Sequence, residues 1–352
     1  LRGQNNVQGA NDAGASPVFL PGYHRVDDDR SRKRFEEAWG VDIPHQPGLN
    51  LNEMMHSLKN GKLKGLFVMG EDLVISEPNA STVEEALNKC EFLVCQDILP
   101  NETIRFADVI LPAACFAEKD GVFTNSDRRV QRVRKAVEPP GNARPDWQIL
   151  SDLARAVGYP MPHYERPSDI YAEYVSLVPR FSGISHERIE TEGGLQWPCP
   201  FDDHPGTATL HVDCPIAGTA VFTPVDYRPS EESPDSEYPL VLSTGRTLYH
   251  YNSATQTKRD SGTVDKDGRN FVEIHPKDAR RFDISESQSV IVSSRRGEVT
   301  AEARIGRRVR PGCVWMPFHF SESRANLLTT EAGDSVTGTA EYKVCAVSLK
   351  PV

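Results

Sequence analysis

Between residues 52 and 113 the sequence alternates helix-forming and strand-forming stretches, and this alternation limits the possible folds more than any other feature. NEMMHSLKNGKLKG leads into the short apolar run LFVMG, STVEEALNKC leads into EFLVCQD, and TIRFA precedes DVILPA at 108–113. Short apolar strands separated by helices predict parallel pairing with helices covering the sheet, a doubly wound α/β arrangement or part of one. Ser81 or Thr82, followed by Glu84 and Glu85, predicts an acidic start to the second helix. Ligands of open α/β sheets sit outside the carboxyl ends of the strands. Gly70, Glu71 and Asp72 after LFVM, with Gln96 and Asp97 after FLVC, are therefore candidates for reading the hydroxyls and ring edge of a nucleotide, and equally for ordinary turn residues.

Beyond this region the stretch EKDGVFTNSDRRVQRV at 118–133 reads as a hairpin with a basic second arm. In RPDWQILSDLARAVGYP, the residues Trp147, Leu150, Leu153, Ala154 and Val157 recur at helical spacing, which predicts a core-facing stripe ended by Gly158 and Pro160. Asp146 at its start fits a helix cap. Residues 226–239, DYRPSEESPDSEYP, read as an exposed linker, with strands beginning around 208–223. Downstream come short strands only: PLVLST, NFVEIHP, SVIVSSRRGEVTAEARI, GCVWMPF and YKVCAVSL. Val290 and Val292, then Val299, Ala301, Ala303 and Ile305, alternate as a hairpin with one buried face requires. The expected architecture is a partial doubly wound α/β domain over 1–207 and a C-terminal β-barrel over 208–352.

A net charge of −10 gives no general attraction for nucleic acid, so small anionic ligands would need local Arg or Lys. No apolar run is long enough to span a membrane and no signal segment is visible, so a cytoplasmic setting is the plain expectation. The seven cysteines are scattered without a C-x-x-C pair, which argues against a disulfide framework or a complete iron–sulfur or zinc site within this stretch. Cys90 and Cys95, which bracket EFLV, are expected to be buried structural thiols.

The first residues, RGQNNVQGANDAG at 2–14, form a polar stretch between glycines, as a loop would that brings N–H groups and a guanidinium to an anion. With Leu1 at the first position, this stretch is expected to continue a longer polypeptide. It is joined, in order, by FVMGED, LVCQDI, ADVILPAACFAEKDGVFTNSDRRVQRV, PDWQIL, YPLVLSTGR and EYKVCAV. Together these segments resemble the molybdenum or tungsten oxidoreductases that bind two molybdopterin guanine dinucleotides, most closely the C-terminal portion of the formate dehydrogenase catalytic subunit.

The resemblance implies roles residue by residue. Arg2 falls on the active-site arginine that lies beside the metal and can hold a carboxylate in a bidentate contact, and Gln4 on a residue near the pterin. Gly70, Glu71, Asp72 and Ser76, with Gln96 and Asp97, match positions around one guanosine end. Asp146 falls in a cofactor-contacting segment. Arg246, His250 and Asn252 lie in STGRTLYHYNS, where the family contacts pterin or phosphate, and Asn326, Tyr342 and Lys343 belong to the same surface. The implied cofactors are two such dinucleotides with Mo or W. The iron–sulfur cluster and the metal ligand are expected upstream, so no metal ligand is assigned here and this chain alone is expected to be inactive.

Expected partners are the missing N-terminal segment, electron-transfer subunits and formate as the substrate. The alternatives are another bis-pterin reductase such as a nitrate reductase, or a non-catalytic cofactor-carrying subunit. Asn11 stands where some formate dehydrogenases have Cys, and the run Phe318, His319, Phe320 is unusual for the expected pterin wall.

Overall fold

A computed structural model describes residues 4–212, 218–334 and 337–352. Arg2 lies outside the described residues. The chain forms two compact units, Leu1–Leu49 with Pro112–Val225, and Asn50–Leu111 with Asp226–Val352.

In the first unit the sequence GVFTNSDRRVQRV forms the expected antiparallel hairpin, Gly121–Thr124 against Arg129–Val133, and Leu195–Gln196 adds a short third strand. Val130 sits in a core with Tyr171, Phe181, Ile184, Ile189, Leu195 and Trp197. The opening motif is not a pure loop: Val7–Asp12 is a short helix. Asp12 at its end is 2% exposed and accepts hydrogen bonds from Gln8 Nε2 (2.8 Å), Tyr23 OH (2.8 Å) and Trp197 Nε1 (3.0 Å). Three donors make burial of that carboxylate tolerable, whereas alone it would be strongly disfavoured. Asn6 precedes the helix in a left-handed conformation, and its Oδ1 accepts from the Thr124 amide.

Asp146–Ala156 is the expected helix, but its stripe differs from the periodicity reading. Ile149 and Ala154 are buried, while Leu150, Leu153 and Val157 are exposed. Helical spacing identifies one apolar face but not whether anything covers it, which is why the stripe is misassigned to the core. Asp146 is the first helical residue rather than the cap, and its carboxylate pairs with Lys119.

The second unit holds both architectures legible in the sequence. Gly65–Met69 pairs in parallel with Phe92–Asp97, and Val109–Pro112 completes the three-stranded sheet. Helices Leu51–Lys59 and Ala80–Asn88 pack Met55, Leu58, Val83, Ala86 and Leu87 onto Val68, Leu93 and Cys95. They cover one face only: Phe67, Met69 and Phe92, which alternate with those buried residues, are exposed, so the double-sided covering is not formed within this unit. The first helix carries a full capping box, Asn50 with Glu53. The second begins at Ala80 after Asn79, so Ser81 and Thr82 lie inside it and do not cap it. Cys95 is buried as expected, whereas Cys90 is only half-buried.

The C-terminal strands close into a six-stranded barrel in the order Phe271–Ile274, Glu298–Ile305, Ser289–Ser293, Cys345–Pro351, Leu240–Gly245, Cys313–Pro317. Val290 faces Ala301 and Val292 faces Val299 in the hairpin register, and all four are in the core with Leu240, Leu242, Val314, Met316 and Val347. Residues 208–212 and 218–229 carry no strand among those described, because Val221, Phe222, Val225 and Tyr227 find no partner ladder and remain exposed.

Leu242→Ala in the barrel is expected to cost about 2–5 kcal/mol in chemical denaturation, as for other fully buried leucines. Leu153→Ala, on the exposed stripe, should stay within about 1 kcal/mol, and a larger loss there would restore the core assignment.

Candidate cofactor site

The second unit brings most of the candidate residues into two connected clusters. The first lies at the carboxyl ends of the parallel strands. Gly70 adopts φ +67, the left-handed turn that its lack of Cβ permits, and its amide donates to Gln96 O (2.9 Å), which joins the two strand ends. Asp72 is buried and accepts from the Thr103 hydroxyl (2.9 Å) and amide (3.2 Å) and from the Glu102 amide (3.3 Å). Asp97 accepts from the Ile98 amide (2.6 Å) and from Asn101 Nδ2 (2.7 Å). Both carboxylates thus shape the turns beside the strand ends, a role that composition alone could not separate from ligand reading.

Glu71, Ser76 and Glu77 form the polar centre of this cluster. The Ser76 hydroxyl lies 2.6 Å from Glu71 Oε1 and 3.2 Å from Glu77 Oε1. Burial pushes Glu71 and Asp72 above the usual carboxylate range, and pushes Glu77 up to about 7, with the nearby Glu71 charge adding to the effect. Burial, followed by the nearby Glu77 charge, raises the Tyr342 phenol. Glu77 was not singled out in the sequence, since nothing in SEP separates a buried glutamate from a loop residue. Hydrogen-bond acceptors gathered in a partly desolvated place are the chemistry that a guanine edge, rich in N–H donors, requires.

Asn326 is 1% exposed, and its Nδ2 donates to Ile75 O (2.8 Å) and Ser76 O (3.0 Å). Its amide therefore fastens the Leu73–Ser76 turn to the segment Ala325–Leu327 rather than standing free for a ligand.

The second cluster is the loop after the strand Leu240–Gly245. Arg246 is exposed and donates to Asn252 Oδ1 (3.1 Å). Lys343 donates to the Thr244 carbonyl. Its side chain still reaches solvent, and partial burial together with the Arg246 guanidinium holds its ammonium below the usual lysine range. Among the described residues the hydrogen-bond partners of both cations are uncharged, Asn252 for Arg246 and the Thr244 carbonyl for Lys343. Two cations that repel one another without a counter-charge suit a dianion. A cavity of about 440 Å³ adjoins this loop, lined by Arg246, Lys266, Arg304, Arg308 and the Trp315 ring together with Asp267 and Glu273; Arg304 pairs with Asp267 and Arg308 with Glu273, so these two arginines are already charge-compensated.

His250 is 3% exposed and both ring nitrogens are engaged: Nε2 lies 2.6 Å from Asp267 O and Nδ1 3.0 Å from Thr257 Oγ1. A carbonyl only accepts, so Nε2 carries the proton and Nδ1 accepts from the threonine. The ring is committed to holding the loop. In the first unit Gln4 is exposed in a bend and Asp146 forms its ion pair with Lys119.

The molybdopterin oxidoreductase family model matches residues 2–156, and the molydopterin dinucleotide binding domain model matches residues 240–346. The F420-dependent formate dehydrogenase subunit alpha of Methanocaldococcus jannaschii is 45% identical over 356 residues, covering 100% of this chain and 52% of that relative. This chain belongs to the molybdopterin oxidoreductases. The assimilatory nitrate reductase catalytic subunit of Bacillus subtilis is 36% identical, covering 100% of this chain and 51% of the relative. Among solved structures, acetylene hydratase from Pelobacter acetylenicus superposes with a TM-score of 0.67 at 16% identity, over 93% of this chain and 50% of that one, a likeness of fold. The chain thus spans about half the length of the curated relatives it matches, consistent with their C-terminal portion. Among the described residues no helix is long and apolar enough to cross a membrane.

Glu77 provides a pH signature. A carboxylate whose folded value is raised binds its proton more tightly in the folded state, so its contribution to stability is lost as pH rises from about 4.5 to about 7. Glu77→Gln keeps the hydrogen bonds without the charge. Relative to wild type it should gain on the order of 3 kcal/mol between pH 4.5 and pH 8 in urea denaturation, whereas a pH-independent difference would show that Glu77 is not held protonated by burial.

Proposed function

We propose that this chain holds the pterin guanine dinucleotides of a formate-oxidising molybdopterin oxidoreductase. The observation that carries the reading is the 45% identity to a formate dehydrogenase subunit alpha along the whole chain, and the site chemistry supports it. Arg246 and Lys343 are cations without carboxylate partners among the described residues, as a pyrophosphate requires. Glu71, Ser76 and Glu77 gather the acceptors that a guanine edge requires. Charge-assisted hydrogen bonds of this kind contribute roughly 1.5–3 kcal/mol each.

In this reading Arg246, Asn252 and Lys343 hold phosphate and pterin groups. The cluster of Gly70, Glu71, Ser76, Glu77 and Tyr342 orients one guanosine, with Gln96 and Asp97 shaping the strand ends beside it. His250, Asp72 and Asn326 hold these groups in place. The bound molybdenum or tungsten centre supplies the two-electron chemistry. Arg2 orients the substrate carboxylate by its planar fork; formate gives up two electrons and a proton to become carbon dioxide, and the electrons leave through partner subunits. The iron–sulfur cluster and the metal's protein ligand belong to the remainder of a longer subunit in the cytoplasm, and the 352-residue chain alone is inactive.

The 36% identity to a nitrate reductase favours one second reading, a reductase of a different planar anion held by the same arginine. Formate-driven reduction of a viologen dye by the complete subunit, lost at least 100-fold in Arg2→Ala, is the expected result. Nitrate-driven oxidation of reduced viologen without formate activity would establish the second reading instead. Arg246→Ala should lower the guanine dinucleotide released per chain, and unchanged content would remove the phosphate role of that loop.

A further inference from the structure

Arg246 is a long, exposed side chain, and its value as an anion donor depends on how firmly the backbone beneath it is held. The strands Leu240–Gly245 and Cys313–Pro317 run in parallel, with Gly245 opposite Pro317 and the Phe318 amide donating to Gly245 O (3.2 Å). Their carboxyl ends therefore leave the barrel side by side. One continues as Arg246–Asn252, the other as Phe318, His319 and Phe320.

His319 is 1% exposed, and its Nε2 lies 3.3 Å from the Thr247 hydroxyl, on the residue next to Arg246. Its ring centroid is 4.8 Å from that of His250 and 4.7 Å from that of Phe320. His250 in turn ties the far part of the loop to Asp267 and Thr257. The two imidazoles thus grip the loop from both ends and pack on each other. The arrangement has a thermodynamic cost: His319 Nδ1 is buried with no hydrogen-bond partner among the described residues, and burial, followed by His250 and Arg246, pushes the ring down to about 3. Phe318 and Phe320 on either side show that an aromatic hydrocarbon fits this neighbourhood, so a neutral histidine calls for a reason that packing does not supply.

We propose that His319 is a positioning residue of the cofactor cradle, fixing the Arg246–Asn252 loop through Thr247 and His250 so that the Arg246 guanidinium is preorganised for the dinucleotide's pyrophosphate. The inference rests on the phosphate role of Arg246 given above. Preorganisation of this kind acts by lowering the ordering cost of binding.

Inorganic pyrophosphate is the probe, titrated calorimetrically into the 352-residue chain and its variants. His319→Phe keeps the ring's bulk and removes the buried unpaired nitrogen, so its melting temperature should equal or exceed that of wild type. Its pyrophosphate dissociation constant should nevertheless rise about fivefold or more, the factor expected for losing one neutral hydrogen bond. His319→Gln, whose amide reaches the position of Nε2, should restore binding to within about twofold, and His319→Asn, whose amide reaches only Nδ1, should not.

Met316→Ala, in the barrel core on the preceding strand, controls for lost stability and should leave the dissociation constant unchanged. Wild-type affinity in His319→Phe, alongside weakened binding in Arg246→Ala, would overturn the positioning role alone. Wild-type affinity in Arg246→Ala would overturn the reading of Arg246 itself.

Discussion

The second unit depends on one buried amide. Asn326 reaches from the end of the barrel sequence to the carbonyls of Ile75 and Ser76, 250 residues earlier in the chain, and satisfies backbone oxygens that no helix continues to use. Backbone groups at the end of a short helix must find partners when water is excluded. By meeting that need from a barrel residue, the chain fixes the turn that carries Glu71, Ser76 and Glu77 on the same body as Tyr342 and Lys343. Arg324 with Glu84 (2.7 Å) and Asn79 with Glu331 (3.0 Å) add to the same seam.

Once that seam is closed, the polar groups above it divide into two kinds. Asp72, Asp97, His250 and Asn326 have their hydrogen-bonding capacity directed into the protein, where each shapes a turn or a loop. Arg246, Lys343 and the Glu71–Ser76–Glu77 group retain capacity that the fold does not consume. The first kind makes the second kind rigid. This division explains why a motif can be rich in polar residues while only some of them are placed to meet a ligand, and it gives the cations and acceptors separate ends of an elongated molecule to hold.

Much of this fold was readable from residue order. The strands LFVM and FLVC, the barrel strands and the hairpin of residues 290–292 with 299–305 follow from alternation, which is a local signal. The exposed stripe of Leu150, Leu153 and Val157 was not readable, because periodicity defines a face without saying what lies against it. The bare sheet face at Phe67, Met69 and Phe92 has the same cause. At the site, glycine and carboxylates past strand ends drew attention to Gly70, Glu71 and Asp72, but not to the difference between Asp72, which holds a turn, and Glu71, which meets Ser76. Glu77 and the His250–His319 contact were invisible, since burial and ring packing arise only when distant segments meet.

Amide hydrogen exchange with and without guanosine diphosphate tests most directly whether these two clusters serve one ligand. The account predicts added protection at both 70–77 and 246–252 in the same titration, with the barrel core unchanged. Protection at neither segment, or at the exposed loop with none at the Glu71–Glu77 turn, would contradict it.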